Sequence, residues 1–168
     1  MNRKRLVAIV GVASIAVLSL VLGVFPSAAQ EPPAPISTEF LTGRAVFPDR
    51  TVLKVKVTAD GKTKTVKEKH PSRTVTARFT VQPGAQFPWH THRGPVVVNV
   101  VAGELTYVDA DNCAGTTYPA GTAFFDLGHG HVHSAFNGGD EPTVLVATFF
   151  NAPAEGSLLI PASPGCTG

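Results

Sequence analysis

The chain has 168 residues, with 14 basic and 12 acidic side chains, a net charge of +2 and 43% hydrophobic residues. A chain of this length is expected to form one domain that buries its own hydrophobic core. The small excess of basic residues gives no support for a nucleic-acid-binding protein, so no nucleic-acid partner is expected.

Residues 1–29 have the pattern of a secretory signal peptide. Three basic residues, Arg3 to Arg5, precede an uncharged and mostly apolar run from Leu6 to Phe25, and the small residues Ser27 to Ala29 follow. This order predicts cleavage after Ala29. An uncleaved anchor is the open alternative, because an apolar run of about 20 residues can span a bilayer. Contact with a membrane is expected only in that case.

Cleavage would change the charge balance of the chain. Removing three of the 14 basic residues leaves 11 against 12 acidic ones, a net charge of −1 over 168 minus 29, or 139, residues. The basic character of the full chain therefore comes from the targeting segment. We expect the mature protein to be secreted or extracytoplasmic.

Cys113 and Cys166 are the two cysteines of the chain. In an exported protein an even pair of cysteines predicts a disulfide bond. Such a bond would tie the C-terminal tail to an internal loop. Two free thiols are the alternative.

The rest of the chain has the pattern of β-strands, with no window of helical periodicity. A Pro-rich linker at residues 30–38 is followed by a predicted domain at 39–153 and a tail at 154–168. Short runs of alternating or continuous apolar residues are separated by Gly, Pro and Asp turns, which predicts an all-β antiparallel sandwich or barrel. The predicted strands are 51–57, 62–66, 73–81, 96–101, 104–108, 122–127, 132–136 and 143–150.

Histidines carry the strongest functional signal. His90 and His92 stand one residue apart, so in a strand both side chains lie on one face. A third histidine from a neighbouring strand, His133, can complete a metal site with them. Neutral imidazole is a common ligand of zinc, copper, iron and nickel. The alternative is a set of histidines that are only hydrogen-bonded.

The segment around the first two histidines resembles the first motif of the cupin family. That motif is a glycine, five residues, His-x-His, three or four residues, a glutamate, six residues and a glycine. Gly84, His90, His92 and Gly103 fall in register with it, whereas Val96 stands at the glutamate position.

A second segment resembles the second cupin motif, Pro-x-Gly-x-x-His-x-x-x-Asn. Gly130, His133 and Asn137 match, and Gly128 stands at the proline position. The likeness covers roughly residues 40–153, and the chain looks most like small, exported, single-domain bacterial cupins of the type-2 kind. It implies a jelly-roll β-barrel with His90, His92 and His133 as metal ligands inside one open end.

The valine at position 96, where the cupin motif has a glutamate, affects which ligands a bound metal ion would take. Without the usual carboxylate, a bound Zn, Fe, Mn, Ni or Cu ion keeps its full charge, which favours an anionic ligand such as hydroxide or a substrate carboxylate. Alternatively, Val96 marks a site that has lost its metal, or Gln86 approaches the gap as a neutral oxygen donor. His131 and Asn137 are the other residues expected to support the ligands.

The expected role is binding of a metal and of a small molecule, with metal-dependent catalysis as the alternative. An oxygenase-like or hydrolase-like enzyme would act on a small anionic substrate, and it needs a group that handles protons beside the metal. His131, Asp126 and Glu104 are candidates, but none stands at a diagnostic spacing. The sequence therefore identifies no catalytic residue.

Overall fold

The computed structural model describes residues 35–59, 61–163 and 166. The predicted signal peptide, residues 1–29, and residues 30–34 of the predicted linker lie outside the described residues. The described part of the chain is all-β and has thirteen strands: β1 Ile36–Phe40, β2 Ala45–Val46, β3 Val52–Ala59, β4 Lys62–Lys69, β5 Arg73–Val81, β6 Gln86–Thr91, β7 Val96–Ala102, β8 Glu104–Asp109, β9 Gly115–Pro119, β10 Ala123–Asp126, β11 His133–Phe136, β12 Thr143–Phe150 and β13 Ile160–Pro161.

Two antiparallel sheets form the jelly roll that the sequence predicted. In the first sheet the strand order is β1-β5-β12-β7-β10, and β2 also pairs with β5. In the second sheet the order is β13-β6-β11-β8-β9. Most neighbouring strands in each sheet are distant in sequence, as in the Greek-key connections of a jelly roll.

Alternation along the strands explains why the two sheets pack together. On β12, every second residue from Thr143 to Phe149 is buried, because successive side chains of a strand point to opposite faces. The strand β5 alternates in the same way and buries Val75, Ala77 and Phe79. Leu105 of β8, in the second sheet, belongs to the same buried cluster. One hydrophobic core therefore fills the space between the sheets.

A polar hairpin formed by β3 and β4 makes a separate two-stranded sheet. Its register runs without interruption from Val52 opposite Lys69 to Ala59 opposite Lys62. Three polar contacts connect it to the barrel among the described residues. The Lys64 Nζ lies 3.2 Å from the Asp111 carboxylate and 4.0 Å from the Asp109 carboxylate, and His129 Nε2 lies 2.9 Å from Glu68 Oε2.

Both ends of the domain add strands that the sequence did not predict. The strand β1 begins at Ile36, inside the predicted linker, and pairs with β5 from Ile36 opposite Val81 onward. In the predicted tail, β13 pairs with β6, where Pro161 lies opposite His90. The tail thereby covers the edge of the strand that carries the first histidine. Among the described residues, no helix is long and apolar enough to cross a membrane.

Cys113 and Cys166 form the disulfide bond that the sequence predicted. Their Cα atoms are 5.6 Å apart and the bond closes a loop with a sequence separation of 53 residues. Cys113 lies between β8 and β9. The bond therefore joins the end of the tail to the second sheet.

Loss of this bond should lower the stability of the fold. A closed loop of 53 residues is worth about 4 kcal/mol in the chain-entropy model of disulfide stabilisation. We expect the Cys113→Ser/Cys166→Ser variant to unfold at lower denaturant concentration by about that free energy, measured by equilibrium chemical denaturation. The reduced wild-type protein is the control and should behave like the double variant. Equal midpoints for oxidised wild type and variant would contradict the expectation.

Gly128 should tolerate substitution less well than Gly130, its neighbour in the same loop. Both have a positive φ, 62° and 87°, so alanine at either costs about 1–2 kcal/mol of backbone strain. Only at Gly128 would an added Cβ overlap the Gly94 carbonyl oxygen, whereas at Gly130 it meets open space. Gly128→Ala should therefore lower the melting temperature further than Gly130→Ala in differential scanning calorimetry. Equal losses of melting temperature would contradict this expectation, because they would show that the backbone at Gly94 and Gly128 moves apart to accept the added Cβ.

Candidate metal centre

Three buried imidazole rings meet at one end of the barrel. His90 lies on β6, His92 follows the last residue of β6, and His133 begins β11 directly opposite His90. The ring centroids are 4.2 Å apart for His90 and His133, 4.8 Å for His90 and His92, and 5.2 Å for His92 and His133. One nitrogen of each ring lies within 4.8 Å of the other two.

The pairing of β6 with β11 contains an irregularity. The register between β6 and β11 shifts, so that His133 pairs with His90 but Ala135 pairs with Phe87. The extra residue falls in the Pro88 and Trp89 segment, where proline is tolerated because a bulge leaves one backbone N–H unpaired. The bulge therefore places both Phe87 and His90, which are three residues apart, at the same cavity.

Backbone carbonyl groups fix the orientation of two of the rings. His90 Nδ1 donates a hydrogen bond to the Pro88 carbonyl oxygen at 2.6 Å, and His92 Nδ1 donates to the Leu158 carbonyl oxygen at 2.9 Å. Because a carbonyl oxygen only accepts, each Nδ1 must carry a proton. The Nε2 of each neutral ring then presents its lone pair.

A backbone carbonyl also fixes the third ring, and a buried carboxylate lies beside it. His133 Nδ1 donates a hydrogen bond to the His131 carbonyl oxygen at 3.4 Å. The same nitrogen lies 3.1 Å from Oδ2 of Asp126, a side chain that is only 2% exposed. Asp126 ends β10, and its Oδ2 also accepts a hydrogen bond from the Tyr107 hydroxyl at 2.7 Å. The Gly128 N–H donates to Oδ1 at 2.9 Å. The His133 Nε2 is therefore the free nitrogen, as in the other two rings.

His131 extends this network toward the surface. Its Nδ1 lies 3.1 Å from Asp126 Oδ2, and its Nε2 lies 2.9 Å from Asp109 Oδ2. The hydrogen bond with Asp126 raises the pKa of His131 to about 8, so the ring is protonated at neutral pH and donates through both nitrogens. Burial by itself raises the pKa of Asp126, but the bond with His131 and the proximity of His133 lower it to about 2.

The three converging histidines are held in the opposite protonation state. Burial, followed by the proximity of His133, lowers the pKa of His90 to about 3. Burial also lowers the pKa of His92 and of His133. All three rings are therefore neutral at physiological pH, which is the form in which imidazole binds a metal ion.

The histidines open onto a small apolar cavity of about 60 Å³. A water molecule needs about 10–15 Å³ on the same measure, so the cavity has room for an ion with a few small ligands. Its aromatic lining comes from four phenylalanines of the barrel strands, together with one tyrosine: Phe79, Phe87, Phe124, Phe149 and Tyr107.

Val96, at the glutamate position of the cupin motif, faces this cavity. It is 1% exposed and contributes to the same lining as the histidines. On one side its cross-strand partner is Asp126 of β10, and on the other it is Phe149 of β12. The centre therefore has three neutral nitrogen donors and an apolar wall where a fourth ligand would project.

Gln86, predicted as a support for the ligands or as a donor at the gap, lies elsewhere. Its side chain is exposed, and its Nε2 donates to the Ser134 hydroxyl at 2.9 Å. Gln86 stands at the far end of β6, opposite Phe136. It therefore does not fill the space beside Val96.

Asn137 stabilises the turn between β11 and β12. Its Nδ2 donates to the carbonyl oxygens of Val81 and Glu141, at 3.0 and 2.8 Å, and its Oδ1 accepts from Gly139. Glu104, the third candidate for handling protons, is exposed and lies beside Gly139. Of the predicted supporting residues, only His131 reaches the ligands: its carbonyl oxygen accepts from His133 Nδ1, and its ring acts through Asp126.

Sequence reasoning did not find Tyr107 and Asp109 in the network. Tyr107 has the strand parity of the buried Leu105 on β8, and this alternation was the available signal. Asp109 ends the same strand, where it resembled an ordinary turn residue. Burial raises the pKa of Tyr107, which keeps its hydroxyl protonated as a donor to Asp126.

The arrangement fits a divalent transition metal ion. Three neutral rings are fixed through Nδ1, and the described residues offer no hydrogen-bond partner for their Nε2 atoms. Three imidazoles with an open position are a recurring metal-binding set. Ligating histidines in proteins commonly donate their second N–H to a carbonyl or carboxylate group, as all three do in this protein.

Comparisons with known proteins agree with this architecture. A family model described as Cupin domain matches residues 77–149. A search of curated proteins found no match.

Solved structures similar to the chain include three from bacteria. An uncharacterised conserved protein with a double-stranded beta-helix domain from Klebsiella pneumoniae shares 26% identity over 55% of this chain and 66% of its own, with a TM-score of 0.41. A predicted oxalate decarboxylase from Thermotoga maritima shares 27% identity over 45% and 64%, with a TM-score of 0.40. The polyketide cyclase RemF from Streptomyces resistomycificus shares 18% identity over 80% and 87%, with a TM-score of 0.47.

The chain spans slightly less than two thirds of the first two of these proteins. The part matched by the family model runs from within β5 to within β12 and includes His90, His92 and His133. The matched family model identifies residues 77–149 as a cupin domain, in agreement with the all-β fold and the three-histidine cluster.

Proposed function

We propose that the protein holds one divalent transition metal ion through His90, His92 and His133. The observation that supports this proposal best is the shared orientation of the rings: each Nδ1 is engaged by an acceptor, which leaves three Nε2 lone pairs in one cluster. Burial keeps the rings neutral. Imidazole nitrogen suits Zn, Fe, Ni and Cu, and Mn is also compatible with such a site.

The proposed ligand is a small anionic molecule. Three imidazoles bring no negative charge, so the bound ion would attract an anion to its open position. The cavity of about 60 Å³ beside Val96 limits that molecule to a few atoms near the ion. Its apolar wall would exclude water from the contact. We therefore propose a metal-binding module that takes up a small anion such as a carboxylate.

Metal-dependent catalysis is the second candidate function. The network of Tyr107, Asp126 and His131 favours it, because these groups lie directly behind a ligand of the proposed ion. When bound, such an ion would polarise a substrate or activate a water molecule. The protein would then be an oxygenase-like or hydrolase-like enzyme with a small anionic substrate.

We also propose that the mature protein acts outside the cytoplasm. The disulfide between Cys113 and Cys166 supports this, because disulfides persist mainly in oxidising compartments. The basic and apolar pattern of residues 1–29 supports it independently.

The metal proposal predicts that each of the three histidines is needed. His90→Ala, His92→Ala and His133→Ala should each reduce bound metal from one ion per chain to a small fraction, because two imidazoles hold an ion much less firmly. Elemental analysis of dialysed protein, by inductively coupled plasma mass spectrometry, measures this. His70→Asn is the matched control, because His70 is exposed and asparagine tolerates its positive φ of 63°. Stoichiometric metal in the His90→Ala/His92→Ala double variant would contradict the proposal.

The export proposal predicts a processed N-terminus. Protein recovered from outside the cytoplasm of a producing bacterium should begin at or near Gln30, since cleavage is expected after Ala29. Intact-mass spectrometry measures the N-terminus directly. An intact Met1 on membrane-bound protein would instead favour an anchor, and an intact Met1 on cytoplasmic protein would contradict export.

A further inference from the structure

We infer that Asp126 supplies the negative charge of the metal centre, acting through His133 from outside the ligand set, in place of a carboxylate at position 96. The inference rests on the proposed metal site and assigns a positioning role to one residue of this chain. It explains how the metal centre can be kept although position 96 carries an apolar valine.

The first support is the place of Asp126 in the first sheet. Asp126 and Val96 are direct cross-strand partners on β10 and β7. Directly opposite side chains of an antiparallel pair lie on the same face of the sheet. Both residues accordingly line the cavity with the histidines. A carboxylate is therefore present one strand away from the position where the chain has valine.

The second support is the contact between Asp126 and a proposed metal ligand. Asp126 Oδ2 lies 3.1 Å from His133 Nδ1. A carboxylate beside the protonated Nδ1 makes the opposite nitrogen a stronger donor to a metal ion. All three Nδ1 atoms donate to neutral carbonyl oxygens, but among the described residues only that of His133 also has a carboxylate beside it. Asp126 is thus the group through which a negative charge reaches the cluster.

The third support is the burial of the Asp126 charge. The side chain is 2% exposed, and no lysine or arginine of the described ranges forms an ion pair with it. Its partner His131 is shared with Asp109. Removing a carboxylate from water is costly unless donors and positive charge compensate it. A cation held at the far side of His133 would provide that charge.

This arrangement has a consequence for ligand binding. A carboxylate that binds a metal ion directly takes up a coordination position. A carboxylate behind His133 offsets part of the positive charge of the ion and leaves the space beside Val96 free. The anionic ligand proposed above would then enter on the Val96 side of the cavity.

The test compares the zinc affinity of four purified mature proteins by competition with a chromophoric chelator. Asp126→Asn should bind Zn²⁺ about 10 to 100 times more weakly than the wild type, the range typical of lost outer partners of ligating histidines. Glu68→Gln is the control, because it also neutralises a buried carboxylate but one that faces His129. It should keep the wild-type affinity.

The fourth protein tests whether the loss of negative charge, and not damage to the fold, weakens zinc binding. In Asp126→Asn/Val96→Glu a carboxylate returns on the adjacent strand and projects into the cavity. It should restore much of the zinc affinity, although His133 Nδ1 no longer has a carboxylate beside it. Equal affinity of Asp126→Asn and wild type, or no recovery in a folded double variant, would overturn the inference.

A measurement on the unmutated protein covers the case in which Asp126→Asn does not fold. In zinc-loaded protein labelled with ¹⁵N-histidine, NMR spectra should show His133 bound through Nε2 and protonated at Nδ1. Zinc bound at His133 Nδ1 would overturn the inference and leave the three-histidine site intact. A wild-type protein that binds no zinc or other transition metal would instead overturn the proposed function itself.

Discussion

The pairing of β6 with β11 is the constraint on which the site depends. It sets His90 opposite His133, and the register between the two strands shifts beside Pro88. Pro88 has two effects, because it lacks the N–H that a regular ladder would need and its carbonyl oxygen fixes the His90 ring. The tail completes the arrangement by supplying the Leu158 carbonyl oxygen to His92. Carbonyl oxygens of three separate segments, at Pro88, Leu158 and His131, thus orient the three imidazoles.

Electrostatics divides the histidines of this end of the barrel into two kinds. His90, His92 and His133 are buried against apolar side chains, so the neutral ring is favoured and the nitrogen lone pairs stay available. His131 is close to His133 in sequence, yet it lies between the carboxylates of Asp109 and Asp126 and is protonated. Asp126 contacts both kinds and therefore couples the cluster to the polar network behind it.

Much of the fold followed from pattern alone. The predicted strands at 73–81 and 143–150 coincide with β5 and β12, because alternation is strong where one face of a strand is buried. The short strands β1, β2, β9 and β13 were not predicted, since they lie at sheet edges and are stabilised by pairing with a partner more than by their own pattern. The linker and tail boundaries therefore depended on contacts that are distant in sequence.

The sequence by itself determined the fold class, the disulfide partners and the identity of the three histidines, because each depends on local spacing or on a simple count. Only the tertiary structure decided which other residues stand beside them. Glu104 is much nearer to Val96 along the chain than Asp126 is. Even so, β10 pairs with β7 and places Asp126 at the cavity, whereas Glu104 lies beside the turn at Gly139. Strand pairing, which joins residues without regard to their separation along the chain, is the physical reason.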